Sequence, residues 1–196
     1  SSSSAASDVY KRQVFIEKFI TNARHIEIQI FGFGDKGAVH LYERDCSMQR
    51  RYQKIIEESP APEIDRTLIE SMANAAVKLS SDVKYQGAGT VEFIYDVEQK
   101  KYYFLEMNTR IQVEHPVTEL VTNNDLVSMQ INFAFNRKNK FLKQEKISIY
   151  GHSIECRVYA EDPSKNFLPS PGKISKLTFP KAVSYTHLTL PTKRIV

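Results

Sequence analysis

Cysteine is scarce: Cys46 and Cys156 stand alone in 196 residues, and neither belongs to a CxxC or Cys/His spacing. Two isolated thiols in a chain this long exclude a disulfide framework and a structural zinc site, and they fit a reducing compartment. Long apolar runs are lacking too. No stretch approaches the roughly 20 residues needed to cross a bilayer, so no membrane segment is expected. No secretory signal opens the chain, and the expected setting is soluble, in the cytoplasm or the mitochondrial matrix. A strong charge of one sign is also missing. The formal net charge is +4, but residues 1–13 contribute +1 and residues 183–196 contribute +2, which leaves about +1 for the middle. That excludes a global basic field, and no nucleic-acid partner is expected.

The serine-rich opening SSSSAASDVYKRQ has no periodicity, and VSYTHLTLPTKRIV follows a coherent domain abruptly. Both tails, 1–13 and 183–196, read as non-native sequence outside the fold. With 41% hydrophobic content, the remainder holds one domain core, or one domain and part of another.

What is present centres on residues 105–119, LEMNTRIQVEHPVTE. Leu105, Met107, Thr109, Ile111 and Val113 alternate with Glu106, Asn108, Arg110, Gln112 and Glu114. On a strand this spacing lines carboxylate, amide, guanidinium, amide and carboxylate along one face. Residues 91–95 (VEFIY) and 101–108 (KYYFLEMN) are β-branched and aromatic runs joined by a short polar segment, which predicts a hairpin. Pairing Val97 with Lys101 across a three-residue loop puts Glu92 directly opposite Glu106. Two carboxylates about 5 Å apart repel by roughly 3 kcal/mol at an effective dielectric near 20, so something must offset them. A hard divalent cation held by Glu92, Glu106 and Asn108 is one answer. A solvated face with a slipped register, or one protonated carboxyl, is the other. The loop residues Glu98, Gln99 and Lys100 include no glycine for a left-handed position.

Elsewhere, residues 14–20 (VFIEKFI) read as a strand, and residues 25–31 alternate Ile26, Ile28 and Ile30 with His25, Glu27 and Gln29, one apolar face against one wet face. Gly32, Gly34 and Gly37 supply turn residues before a strand over 39–43. Residues 44–54, RDCSMQRRYQK, are dense in Arg, Gln and Lys without alternation. Such a cluster suits phosphate or bicarbonate, or is a solvated face. Ile64, Leu68, Met72, Ala75, Ala76 and Leu79 recur at helical spacing and predict a helix over 62–83. Asn124 and Asp125 offer caps for a helix through residue 135. The polar, basic stretch 136–146 marks a boundary. A strand over 148–159 follows, with Ile154, Cys156 and Val158 alternating against Ser153, Glu155 and Arg157.

LEMNTRIQVEHPVTE, with ERDCSMQRRYQK before it, GAGTVEF at 87–93, GHSIECRVYAEDP at 151–163 and FLPSPGKI at 167–174, resembles biotin carboxylase, the ATP-grasp component of biotin-dependent carboxylases. The resemblance covers roughly residues 14–182 in five ordered blocks. It implies an α+β fold: the C-terminal half of an ATP-grasp domain, with an antiparallel sheet and packed helices, over 14–147, and the truncated start of the biotin carboxylase C-terminal domain over 148–182. It implies ATP, Mg2+ or Mn2+ at Glu92, Glu106 and Asn108, and biotin on a carrier protein as substrate. Glu17, Lys18, Phe19, Ile20, His25 and Gln49 would serve the nucleotide. Lys54, Gln112, the Val113 backbone and Arg110 would hold bicarbonate, Glu114 would be the general base, and Arg157 would stabilise the biotin enolate. Tyr52 stands where a histidine contacts the nucleotide in a bacterial enzyme. The implied partners are bicarbonate, a biotin carboxyl carrier domain, a carboxyltransferase component and a second copy in a homodimer. The resemblance also implies that the glycine-rich lid and the ATP-contacting lysines precede this stretch, so the chain alone is expected to be inactive. The competing readings are another ATP-grasp ligase of the carbamoyl phosphate synthetase type, separated by the block around Arg157, and a non-catalytic binding module.

Overall fold

A computed structural model describes residues 17–135, 142–176 and 178. Both tails, the first three residues of the strand expected over 14–20, and residues 136–141 of the expected boundary lie outside the described residues.

The chain divides into two compact units, one reaching to Val158 and the next beginning at Tyr159. The first is built on a six-stranded sheet in the order β5-β4-β1-β2-β3-β6. Its strands are β1 (Ala23–Phe33), β2 (Ala38–Arg50), β3 (Gln53–Ser59), β4 (Gln86–Asp96), β5 (Lys101–Asn108) and β6 (Ser153–Cys156), and every neighbouring pair is antiparallel. Helices α1 (Arg66–Asp82), α2 (His115–Thr122) and α3 (Leu126–Ala134) complete it. The second unit carries a two-stranded ribbon of β7 (Glu161–Asp162) and β8 (Leu168–Pro169). β6 pairs within the first unit's sheet, while composition places the boundary at 147/148.

Both faces of the sheet are covered. Ile26, Ile28 and Ile30 of β1 pack with Val91, Phe93 and Tyr95 of β4 against Ile69, Met72, Ala73 and Ala76 of α1. The other face is apolar at one end only, where Phe31, Phe33, Val39, Leu41 and Ala88 meet Leu126 of α3 and Ile147. At its opposite end the face carries Glu27 and Gln29, which are fully buried rather than wet.

Local chemistry sets the element ends. Helix α1 starts four residues later than its apolar spacing predicts, because Asp65 caps it by accepting a hydrogen bond from the Thr67 amide. Asp125 caps α3 in the same way, through the Ser128 amide. Gly34 and Gly37 hold positive φ in the turn after β1, as expected of turn glycines. Gly32 is instead a strand residue: a Cβ there would lie 2.2 Å from the Tyr85 carbonyl oxygen. Gly32→Ala is therefore expected to destabilise the chain by about 1–3 kcal/mol, measured by urea unfolding, because backbone and not a flexible side chain must move.

Three sequence expectations change. Residues 17–20 are irregular and not a strand, with Phe19 86% exposed. The strand expected over 148–159 shrinks to β6, and its apolar set is outward, with Ile154 60% and Val158 96% exposed while Ser153 is buried. The alternation over 105–113 stops being a strand at Asn108; residues 109–113 are irregular and lead into α2, a helix that spacing did not reveal.

Candidate active site

Four sheet positions form a row across the strands. Glu106 of β5 pairs with Glu92 of β4, Glu92 with Glu27 of β1, and Glu27 with Arg44 of β2. Register partners send their side chains to one face, so the row gathers three carboxylates and a guanidinium.

Two bulges make this row. The β4/β5 turn closes on Asp96 and Lys101, one residue longer on the β4 side than a Val97–Lys101 closure. The register then slips between Phe93, which faces Phe104, and Glu92, which faces Glu106. Leu105 is the extra residue, and it moves Glu106 to the face of Glu92. In β2 the register against β1 slips between Ile28 and Ile30, at Tyr42 with φ 64°. Arg44 thereby joins the face of Val39 and Leu41, to which simple alternation would assign Glu43.

Arg44 is fully buried and uses its whole guanidinium. Nε donates to Glu27 Oε1 at 2.5 Å, Nη1 to Gln29 Oε1 at 2.6 Å and Thr118 Oγ1 at 2.9 Å, and Nη2 to Thr90 Oγ1 at 3.1 Å and Gln112 Oε1 at 3.2 Å. Burial opposes its charge, but Glu27 and Glu114 outweigh that and raise its pKa. Burial likewise pushes Glu27 up, and Arg44 and Lys54 overturn this and lower it.

Lys54 is the hub. It enters from β3 beyond a two-residue turn, Arg51 and Tyr52, both at positive φ. Its Nζ lies 2.6 Å from Glu27 Oε2, 3.0 Å from Glu92 Oε1 and 2.7 Å from Glu114 Oε1. Burial disfavours the ammonium, yet the carboxylates of Glu27, Glu114 and Glu92 together raise its pKa. Glu92 also accepts from Gln112 Nε2 at 2.9 Å and Asn108 Nδ2 at 3.1 Å, and His25 Nε2 lies 2.9 Å from its Oε2. Burial pushes this carboxyl up; the His25 contact and the Lys54 charge prevail and hold it down at about 2. Its anionic form thus adds stability above the unfolded carboxyl value, and this is lost as pH falls toward 2.

The second oxygen of Glu114 receives Arg157 Nη2 at 2.8 Å, and Arg157 Nε donates to Glu57 Oε1 at 2.6 Å. Glu114 is therefore paired with Lys54 and Arg157, not with Arg110 as its sequence neighbourhood predicts. Arg110 is exposed, with Nη2 3.4 Å from Asn108 Oδ1 and Nη1 3.3 Å from the Ile111 carbonyl. Gln49 Nε2 meets His25 Nδ1 at 2.9 Å. Val113 has an exposed side chain just before Glu114, and Tyr52 is 94% exposed. Glu17 and Phe19 are exposed and Ile20 half-buried, while Lys18 lies 4.0 Å from Asp96 at the far end of β4.

A cation fits the donors at the β4/β5 pair. The Asn108 amide nitrogen is 3.1 Å from both Glu92 Oε1 and Glu106 Oε1, so two carboxylate oxygens and an amide converge on one point. All three offer hard oxygen ligands once the amide turns. The repulsion between Glu92 and Glu106 is nevertheless offset within the protein by Lys54, Asn108 and Gln112, so it does not by itself demand a metal. His25, Glu27 and Glu92 form a second set of potential ligand atoms within 4.8 Å of one another.

Glu27, Arg44, Glu57, Thr90 and Thr118 were not singled out from sequence. Glu27 was legible as the polar partner of an Ile-rich strand, and the others depend on pairing.

Residues 1–141 match the family model described as carbamoyl-phosphate synthase L chain, ATP binding domain. Biotin carboxylase 1 of Bacillus subtilis (strain 168) is 56% identical over 161 residues, covering 82% of this chain and 36% of that protein. The crystal structure of a biotin carboxylase complex with β,γ-ATP from Campylobacter jejuni superposes with a TM-score of 0.78 at 49% identity, covering 85% of this chain and 36% of that one. The biotin carboxylase domain dimer of Hydrogenobacter thermophilus 2-oxoglutarate carboxylase, in complex with MgADP, ADP and bicarbonate, gives 0.78 at 46%, with coverage of 85% and 36%. The chain thus spans about a third of the relatives it matches, within an α+β architecture of the ATP-grasp type. Membership of the biotin carboxylase branch of the ATP-grasp family follows for this chain.

Proposed function

We propose that the full-length protein is an ATP-dependent biotin carboxylase, which activates bicarbonate as carboxyphosphate and carboxylates biotin on a carrier domain. The observation that carries this reading is the chain Lys54–Glu114–Arg157, in which residues far apart in sequence bind the two oxygens of one carboxylate at 2.7 and 2.8 Å. A base for bicarbonate and a cation for an enolate oxygen must be neighbours, because the carbon dioxide made at the first centre is consumed at the second.

Bicarbonate, held by Arg110, Gln112, the Val113 backbone and Lys54, loses its proton to Glu114 as its oxygen attacks the γ-phosphate of ATP. Carboxyphosphate then splits into carbon dioxide and phosphate, and the phosphate takes the ureido proton of biotin. Arg157 stabilises the enolate oxygen that forms. Glu92, Glu106 and Asn108 would hold magnesium, which supplies charge neutralisation to the phosphate oxygens. His25 and Gln49, hydrogen-bonded to each other, and the exposed segment containing Glu17, Lys18, Phe19 and Ile20 are assigned to the nucleotide. The partners are a biotin carboxyl carrier domain, a carboxyltransferase component and a second copy, as in the dimer of the 2-oxoglutarate carboxylase domain.

Free biotin should stimulate ADP formation by the full-length protein in the presence of bicarbonate, and ammonia should not. The reverse response would assign the protein to the carbamoyl phosphate branch named by the family model. Glu106→Gln should raise the magnesium concentration at half-saturation at least about tenfold, measured from initial rates of ADP formation, because one charged ligand becomes neutral.

A further inference from the structure

Strands β3 and β6 set two carboxylates face to face. Glu57 and Glu155 are register partners, so their side chains leave the same side of the sheet. Glu57 is fully buried and Glu155 half-buried, and Oε2 of each is enclosed without a hydrogen-bond partner. Opposed like charges weaken a strand pair, and a buried carboxylate oxygen with no donor bears its full desolvation cost. The wider network repeats the imbalance: Glu27, Glu57, Glu92, Glu114 and Glu155 surround Arg44, Lys54 and Arg157, an excess of acids over fixed cations. A proton is the smallest remedy.

We propose that the Glu57–Glu155 pair holds one proton, kept on Glu155, and that this half-neutralised pair is the positioning device that fixes Arg157 beside Glu114. Glu57 stays the anion because Arg157 Nε donates to it at 2.6 Å. The same guanidinium reaches Glu114 with Nη2, so it is clamped between one anion on β3 and one at the start of α2. Ionising Glu155 adds a second negative charge on the sheet side and draws Arg157 away from Glu114. The role given to Arg157 rests on the carboxylase reading above; the protonation does not.

The electrostatic surroundings agree. Burial pushes the Glu155 carboxyl up, and the charge of Glu57 adds to this, bringing it to about 7 against the opposing pull of Arg157. Glu114 at the start of α2 raises it further, and Arg44 on β2 lowers it. Burial also raises Glu57, where Arg157 opposes while Glu114 and Glu27 reinforce. The remaining titratable groups nearby are engaged elsewhere or neutral: His115 Nδ1 lies 2.8 Å from the Gln112 carbonyl, Glu119 accepts from the Leu126 amide at 2.6 Å, and burial keeps the Cys46 thiol protonated. Lys54 of β3 is taken by Glu27, Glu92 and Glu114.

The test uses this chain with glutamate carboxyl carbons labelled. One resonance should titrate near neutral pH and vanish in Glu155→Gln. The folded state then holds more protons than the unfolded state between the unfolded carboxyl value and neutrality, so wild-type stability falls as pH rises through that window. Glu155→Gln, a permanent mimic of the neutral acid, escapes the loss. Discounted for partial exposure, its unfolding constant should be roughly tenfold smaller than that of the wild type at pH 8 and equal to it at pH 4. If every glutamate titrates in the ordinary acid range, or if Glu155→Gln fails to fold, the proposal is overturned, since a neutral mimic must be tolerated where the acid is neutral. In the full-length protein, biotin-stimulated ADP formation should decline above neutral pH in the wild type, and Glu155→Gln should shift that decline to higher pH. An unchanged profile would refute the positioning role alone. Absence of any biotin response in the wild type would instead strike the carboxylase reading, with the titration still deciding the proton.

Discussion

Arg44→Met is expected to lower the unfolding free energy of this chain by about 3–5 kcal/mol, read from urea denaturation, because it breaks a fully buried ion pair. Methionine fills the space of the stem, so the loss is electrostatic and not a cavity. Removing the guanidinium strips Glu27 Oε1 of its 2.5 Å partner and leaves the acceptors on Gln29, Thr90, Thr118 and Gln112 without their shared donor. Every one of these residues is buried, so water cannot replace the lost bonds without opening the sheet face. Glu27 would then rely on Lys54, which already serves Glu92 and Glu114. Adding Glu27→Gln removes the stranded charge and should recover about half of the loss, whereas a purely steric cause would leave the double variant no better than the single one.

Arg44 also shows where the sequence stops being readable. The hairpins over 25–43 and 91–108, helices α1 and α3, and the opposition of Glu92 to Glu106 are all visible in period-two and helical patterns, because each is set by neighbours close in the chain. Bulges defeat that logic. Tyr42 adds one residue to β2 and exchanges the faces of everything beyond it, so RDCSMQRRYQK shows no alternation although it spans two paired strands. Leu105 has the same effect on β5, and the expected register at Glu92 holds because a longer turn and the bulge compensate each other. Irregular backbone from 109 to 113 likewise separates Arg110 from Glu114, which continuous alternation would have kept on one face. The partners of Glu114 lie at sequence separations of 60 and 43, and nothing local encodes them. They became legible only through the resemblance, which places Lys54 and Arg157 in the same reaction without saying that one carboxylate joins them.

Glu114→Gln in the full-length protein is the second large effect: bicarbonate-dependent ADP formation should fall by roughly 10²- to 10⁴-fold in kcat, the range associated with losing a general base. The half-saturating concentration of ATP should change little, because the groups assigned to nucleotide and metal, His25, Gln49, Glu106 and Asn108, do not touch Glu114. The glutamine keeps the shape but gives up one of the two acceptors now held by Lys54 at 2.7 Å and Arg157 at 2.8 Å. One of the two cations must therefore relax. If Arg157 moves, carboxylation of free biotin falls more steeply than bicarbonate-dependent ADP formation. If Lys54 moves, both fall together, since bicarbonate binding is lost before either step. Measuring the two rates side by side thus separates the proton-accepting role of Glu114 from its role as the post that aligns both cations. Equal wild-type rates in both assays would remove Glu114 from the chemistry altogether.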